Sequence, residues 1–501
     1  MEKNLRNCSI KNLILVSFLL ILFYIIIKGI FLYTPVIYEY NSVILLLGIV
    51  AYITAITLFY KYIVPKIDRD IVVYIMFFCF TSLAIFTAIK FMLSNEHAWD
   101  MPWVFNIAKN YVETGICNDL YLAAHPNNIG ITLLFAGVFK VIGFFGLSNY
   151  LVSITVFNAI VVSSTVVIMY YIAKEILDRK KAMLLLIIAL MTTPLYLHSA
   201  IYYTDTLSMF ICTSIFFIYL KLGSNENKWL HIFYQIIFAV LIFLAINIKI
   251  TAVFIVIAIS IYGILNLKTR EKHVFISKVI AVSLCTIVIV FVLQLLLNNY
   301  IRRYVVTKED EQMYRFPNSH YFMMGLSGNG NFSGELTGIT TDAGDYEEKK
   351  KVISEKIREM LSNYNARTFV LHIAEKIDFA WHDGTYWAPE KLKRSPVNEG
   401  IHHEFVLETG KYKDYYKYFP QIMHFSMLIF IFINTIYILK NKNFKTKEII
   451  CLIDIYGLLV FLLLWENRSR YLLVSLPMLM ILSINGIDTL SKLKIKGKNY
   501  K

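Results

Sequence analysis

Apolar runs of about twenty residues recur along this chain. Residues 42–60 and 71–89 hold no charged side chain at all. A helix rises about 1.5 Å per residue, so each run can cross a hydrocarbon core of roughly 30 Å. In hydrocarbon every backbone N–H and C=O must be paired within the segment, which leaves helices as the form such runs can take. Hydrophobic residues make up 57% of the 501 and charged ones only 17%, so the bilayer is the expected solvent for most of the chain. The fold class expected is an all-α polytopic membrane protein with about twelve transmembrane helices. They are placed near 10–33, 42–64, 71–93, 151–174, 182–199, 205–222, 231–248, 250–267, 274–298, 420–440, 448–465 and 470–489. The first run is too long for the apolar part of a signal peptide and lacks a small-residue cleavage site, so it reads as a retained helix.

Orientation follows from lysine and arginine. Alternate short loops are basic, at Lys3/Arg6/Lys11, Lys61/Lys66/Arg69, Lys174/Arg179/Lys180/Lys181, Lys268/Arg270/Lys272 and Lys440/Lys442/Lys445/Lys447, as is the tail from Lys492 to Lys501. Of 49 basic residues about 25 fall on this side and about three in the short loops opposite, which puts both termini in the cytoplasm. The formal charge of +14 is therefore a topology signal. No zinc-finger, P-loop or dinucleotide pattern accompanies it, and no nucleic-acid partner is expected. Only Cys117 of the six cysteines clearly faces outward, so neither an external disulfide nor a cysteine metal site is expected.

The chain divides into two extra N-terminal helices (1–70), a membrane core (71–298), an extracytoplasmic domain of about 120 residues (299–418), and C-terminal helices with a basic tail (419–501). The core includes an external loop, 94–150. Within it an amphipathic run starts at Pro102, and 129–146, interrupted by Lys140, reads as an interfacial helix. Ionisable residues gather at the external ends of the helices. Asp100 follows the third helix in Glu96-His97-Ala98-Trp99-Asp100, and His125 opens His-Pro-Asn-Asn. His198 and Asp205 flank one tight turn, Lys249 lies in the next, and Glu466, Arg468 and Arg470 fill the last. Charge near membrane depth is costly and needs an account. Carboxylates, histidines and three cations at one rim suit an anionic, lipid-linked substrate.

Plainer readings stand beside these. Asp100 and Asp205 could each cap a helix, His125 could shape its loop, Lys249 could snorkel, and Arg468 and Arg470 could anchor at the interface. Lys28 and Lys90 read as snorkelling side chains without polar company.

At these residues the chain resembles the GT-C superfamily of membrane glycosyltransferases, which includes protein O-mannosyltransferases and lipid A aminoarabinose transferases. The resemblance runs through Trp99-Asp100, the helix carrying Ala108 and Tyr111, and His125-Pro126 through Lys140-Val141-Ile142-Gly143. It continues in Thr193-Pro194, Asp205, and Arg470-Tyr471 through Pro477. It covers about residues 71–300 and, more loosely, the C-terminal helices. Two departures stand out: helices 10–64 are additional, and Asp100 stands alone where O-mannosyltransferases carry an Asp-Glu pair.

The resemblance implies transfer of a sugar from a polyprenyl-phosphate donor to a glycan, lipid or protein acceptor on the outer face, in one inverting displacement. Asp100 would be the base, with Asp205 as second catalytic candidate. Lys249, Arg468, Arg470 and Tyr471 would bind the donor phosphate, and His97, His125 and Glu466 would contact acceptor or sugar or shape the loop. No cofactor is required; Glu96, His97 and Asp100 leave a divalent cation as an option. The rival class is a flippase or other transporter of lipid-linked saccharides, or a polymerase or ligase of them. Transporters carry polar residues or helix breaks at mid-membrane, whereas the helix middles here are almost purely Ile, Leu, Val and Phe.

Overall fold

The computed structural model describes residues 2–96, 99–224, 227–266, 272–443 and 446–492. Among the described residues the regular structure is helical, and the only extended pairing is an isolated antiparallel bridge between Leu93 and Pro396. Ten helices are long and apolar enough to cross a membrane: Lys11–Phe31, Ser42–Tyr62, Asp70–Lys90, Pro126–Phe144, Tyr150–Ile176, Thr204–Gly223, Lys228–Ile248, Val282–Tyr304, Lys413–Asn441 and Ser469–Ser491. Capping sets several of their starts. The side chain of Asn41 accepts from the N–H groups of Val43 and Ile44, and Asn149 accepts from Val152.

All twelve expected segments are helical, but three fall short of a span by length. The stretch 182–199 breaks at Thr192 because Pro194 cannot continue the hydrogen-bond ladder, leaving Arg179–Met191 and Thr193–His198. Ile250–Asn266 opens with a 3-10 turn, and Glu448–Leu464 has 17 residues. Conversely, Pro126–Phe144, expected to lie in the interface, has the length and hydropathy of a span.

One large apolar core runs through the bundle, from Leu15 on the first helix to Ile487 on the last. The helices Tyr418–Asn441 and Leu476–Ser491 approach so closely that a Cβ on Gly486 would lie 2.0 Å from the Phe430 carbonyl oxygen. Small residues permit such backbone approach where lipid supplies no hydrophobic drive. The basic end is tied by Arg179, which reaches Asp68 at 2.7 Å and Asp70 at 2.9 Å, and by Asp488, which takes Tyr60 and Lys181.

Residues 299–418 fold as short helices. The first of them close a small core of their own, Met323, Met324, Leu336 and Ile353. The rest joins the bundle: Ala366–Trp381 docks on the first helix through an ion pair between Asp378 and Lys28, and Trp381 and Tyr386 lie in the main core. Lys28 therefore does not merely snorkel. Its partner lies 350 positions away in sequence, where no local pattern could reveal it.

After this helix the chain turns at Asp383, which is fully buried. Its carboxylate accepts from the Thr385 N–H at 2.9 Å, the Trp387 N–H at 2.8 Å and the Ser469 hydroxyl at 2.6 Å, and from the Thr385 hydroxyl. Tyr386 and Trp387 take the left-handed conformation, with φ of 53° and 65°. Burial pushes the Asp383 carboxyl up, and these four hydrogen bonds oppose that shift. The turn leads into the short helix Ala388–Leu392.

Candidate functional site

Three interruptions in helical structure bring charge together. Asp205 stands in the first turn of Thr204–Ser224, Lys249 is the extended residue ending Lys228–Ile248, and Arg470 begins the 3-10 segment Ser469–Ser475. The Asp205 carboxylate accepts from Lys249 on one oxygen and from Arg470 Nη1 on the other, the latter at 3.1 Å. Asp205 is 2% exposed and Arg470 6%. A carboxylate held by two cations is a weak base, and this one is not a helix cap. The same pair disposes of snorkelling for Lys249 and of a bare interfacial anchor for Arg470.

Tyr471 extends this group. Its ring lies 4.6 Å from Lys249 Nζ, and its hydroxyl donates to Glu466 at 2.9 Å. Arg468 sits 3.7 Å from Glu466 and donates through Nε to Asn331 at 2.8 Å. Asn331 belongs to the loop, rich in glycine and asparagine, between the short helices Asn318–Gly325 and Gly334–Thr341. Gly330, at φ 81°, lets that loop close over Lys376, where a Cβ would meet the lysine side chain at 2.8 Å.

Asp100 lies on a separate hydrogen-bonded chain. Trp99 is the N-cap of Asp100–Thr114 and Asp100 its first helical residue, so the capping alternative falls away. Asp100 Oδ1 accepts from the Tyr121 hydroxyl at 3.0 Å. Asn128 donates to that hydroxyl at 2.6 Å, and Tyr203 donates to Asn128 at 2.8 Å. Trp103 stacks on Tyr121 at 5.5 Å. Asp100 forms no ion pair among the described residues, in contrast to Asp205.

His125 packs its ring 5.0 Å from both Tyr121 and Phe316. Burial pushes its imidazole below its ordinary range, with Asp100 pulling the other way. A neutral ring between two aromatics shapes the loop. His97 lies outside the described residues, and with it the cation option built on Glu96, His97 and Asp100.

Two cations went unmarked in the sequence. Lys391 Nζ lies 4.2 Å from the centre of the Trp99 ring, and the Arg394 guanidinium 5.4 Å from it. Burial pushes the Lys391 ammonium well below its usual range, Arg470, Arg394 and Arg468 push the same way, and Asp100 opposes them. One signal could have found them. Lys391-Leu-Lys393-Arg394 is a basic run on the side that the charge rule leaves poor in lysine and arginine.

The profile of a family described as "conserved hypothetical integral membrane protein" matches residues 10–489. The chain belongs to that family. This conserved hypothetical integral membrane protein is thus a multi-pass protein of the bilayer, with about ten spans. The match takes in both the Asp205 group and the Asp100 chain, as well as the segment that carries Lys391. No curated protein matches the sequence.

Proposed function

We propose that this protein is a GT-C-type membrane glycosyltransferase that uses a polyprenyl-phosphate sugar on the outer face of the membrane. In this reading both termini are cytoplasmic, about twelve segments cross or enter the bilayer, and 299–418 lie outside. The observation that carries the reading is the contrast between two carboxylates at one end of the bundle. Asp205 is locked by two cations, whereas among the described residues Asp100 accepts one side-chain hydrogen bond, from the Tyr121 hydroxyl, and forms no ion pair. Arg470 lies close enough for the charge of Asp100 to act on it.

The chemistry needs such a division. The acceptor hydroxyl gives its proton to Asp100 as its oxygen bonds to the anomeric carbon. The anomeric C–O bond to phosphate breaks, its electron pair stays with the phosphate, and polyprenyl phosphate leaves. Arg470 and Arg468, with Lys249 behind them, stabilise the charge that gathers on the leaving oxygen. Asp205 holds Lys249 and Arg470 in place and takes no proton. A single displacement inverts the anomeric centre. The acceptor is a cell-envelope glycan, lipid or protein.

Asp100→Asn tests the reading, because the amide keeps the size of the side chain and its acceptor for Tyr121 but cannot serve as a base. The variant should insert and unfold like wild type, still bind polyprenyl phosphate, and transfer sugar about 100- to 10,000-fold more slowly. Turnover within about threefold of wild type would place the base elsewhere.

A further inference from the structure

Among the described residues three lysines are almost wholly buried, and two of them are satisfied. Lys376 donates to the carbonyls of Gly325 at 2.6 Å and Trp465 at 2.9 Å. Lys349 donates to the carbonyls of Met313 at 2.5 Å and Gly344 at 2.7 Å. Lys391 is the exception. It is 2% exposed, its amine makes no hydrogen bond to any described residue, and its contact is the face of Trp99.

Two donors around it are orphaned among the described residues. Trp99 Nε1 is buried without an acceptor, and so is Arg470 Nε, although the same guanidinium reaches Asp205 through Nη1. Arg394, on the same tryptophan, and Arg468 add positive charge to the neighbourhood, and the carboxylates of Asp100 and Glu390 offset part of it. Buried donors left unpaired are expensive, and native proteins seldom tolerate several at one spot. Two orphaned donors and an amine without a hydrogen-bond partner among the described residues, gathered among cations, describe the outline of a missing polyanionic acceptor.

We propose that Lys391, Arg394, Arg470 Nε and Trp99 Nε1 form a phosphate-binding site. Resting on the glycosyltransferase reading above, its occupant is the phosphate of the lipid-linked donor. Lys249 takes no direct part, because its charge is spent on Asp205. Arginine offers a planar fork and lysine a point charge, the usual pair for phosphate oxygens. The docked half of 299–418 thus supplies part of the site, and its anchor at Asp383 and Ser469 sets the Lys391 segment against the Arg470 segment. Binding also recharges an amine that burial disfavours, so it takes up protons from the buffer where the free amine is neutral.

Isothermal titration of the purified full chain in detergent tests this with three probes: farnesyl phosphate, inorganic phosphate and farnesol. Wild type should bind farnesyl phosphate, bind phosphate more weakly, and ignore farnesol. Lys391→Met should weaken farnesyl phosphate binding at least about 30-fold. The same variant without ligand should unfold at the wild-type temperature or above, since an apolar chain replaces an unsatisfied amine; a lysine with a purely structural role would show the reverse. Arg394→Gln, at the half-exposed edge, should weaken binding about fivefold and serves if Lys391→Met does not fold. Farnesyl phosphate binding that is unchanged in both variants overturns the site and leaves the glycosyltransferase reading standing. Binding of phosphate that depends on Lys391, with farnesyl phosphate no tighter, keeps the site and sinks the lipid donor. If wild type binds neither phosphate probe, both fall.

Discussion

One end of the bundle holds two groups of largely buried positive charge that differ in one respect. Lys249 and Arg470 close on Asp205, and each has its counter-charge within the protein. Lys391 and Arg394 close on Trp99, and neither forms an ion pair among the described residues, although Asp100 and Glu390 act on them from farther off. The first group joins three segments far apart in sequence, at 205, 249 and 470, and would hold them together with nothing bound. The second is held by its contacts with the Trp99 ring, and in the proposed site it keeps hydrogen-bond donors for an anion. A buried charge with its partner explains architecture; a buried charge without one asks for a ligand. Arg470 belongs to both groups, through Nη1 and Nε respectively, and is the hinge of the comparison.

The comparison breaks most visibly at Asp205. Asp205→Asn leaves Lys249 and Arg470 buried with no opposing charge, and breaking a buried pair in this way typically costs about 3–5 kcal/mol. The variant should accumulate poorly and unfold at a markedly lower temperature, read by a thermal melt in detergent. Lys391→Met should show no such loss. If Asp205→Asn costs less than about 1 kcal/mol, Asp205 behaves like an exposed pair and the architectural role is wrong.

Much of this arrangement was legible in the sequence, and the rest was hidden for physical reasons. Charge-free runs located the helices because hydrocarbon forbids unpaired backbone, and that constraint is local. The same sidedness argument gathered Asp100, Asp205, Lys249 and Arg470 at one end. What it could not do was pair them. Asp205 and Arg470 are 265 positions apart, and which carboxylate meets which cation depends on how helix ends rotate and tilt. Lys28 read as unaccompanied for the same reason. Lys391 was missed because the segment 299–418 was expected to stand apart as a domain, and a basic run on a soluble surface excites no suspicion. Once Ala366–Trp381 is packed into the bundle, Lys391 of that run becomes buried charge.

A smaller effect is expected at Lys376, which sharpens the comparison because its partners are carbonyls and carry no counter-charge. Lys376→Met leaves the Trp465 carbonyl without its donor, at about 1–3 kcal/mol where no water replaces it, while the Gly325 carbonyl keeps His372 Nε2 at 3.1 Å. It also loosens the loop that presents Asn331 to Arg468. Burial lowers the Lys376 pKa from 10.5 to about 7. With the folded pKa below the unfolded one, the unfolded chain holds the extra proton between about pH 7 and 10.5, so this residue's contribution to stability rises with pH across that window. The slope should be at most about 1.4 kcal/mol per pH unit and absent from Lys376→Met. Denaturation of the two proteins in detergent at pH 7 and pH 9 measures it. An equal pH dependence in both would mean that the lysine is already satisfied as a cation.

The smallest effect tests the quiet side of the comparison, the carboxylate that carries no ion pair. Tyr121 donates to Asp100 and receives from Asn128, so in the proposed reaction it orients the carboxylate. Tyr121→Phe keeps the ring that stacks on Trp103 and removes only the hydroxyl. A single hydrogen bond to a charged group contributes about 1.5–3 kcal/mol, so turnover should fall about tenfold or somewhat more. KM for the lipid donor should hold steady, because the phosphate ligands are untouched. The discriminating measurement is the double variant. If Tyr121 acts through Asp100, adding Tyr121→Phe to Asp100→Asn should cost nearly nothing further, since an orienting group has no base left to orient. If the two losses instead multiply, Tyr121 acts independently of Asp100. The chain from Tyr203 through Asn128 and Tyr121 would then be a packing network, with the free carboxylate merely at its end.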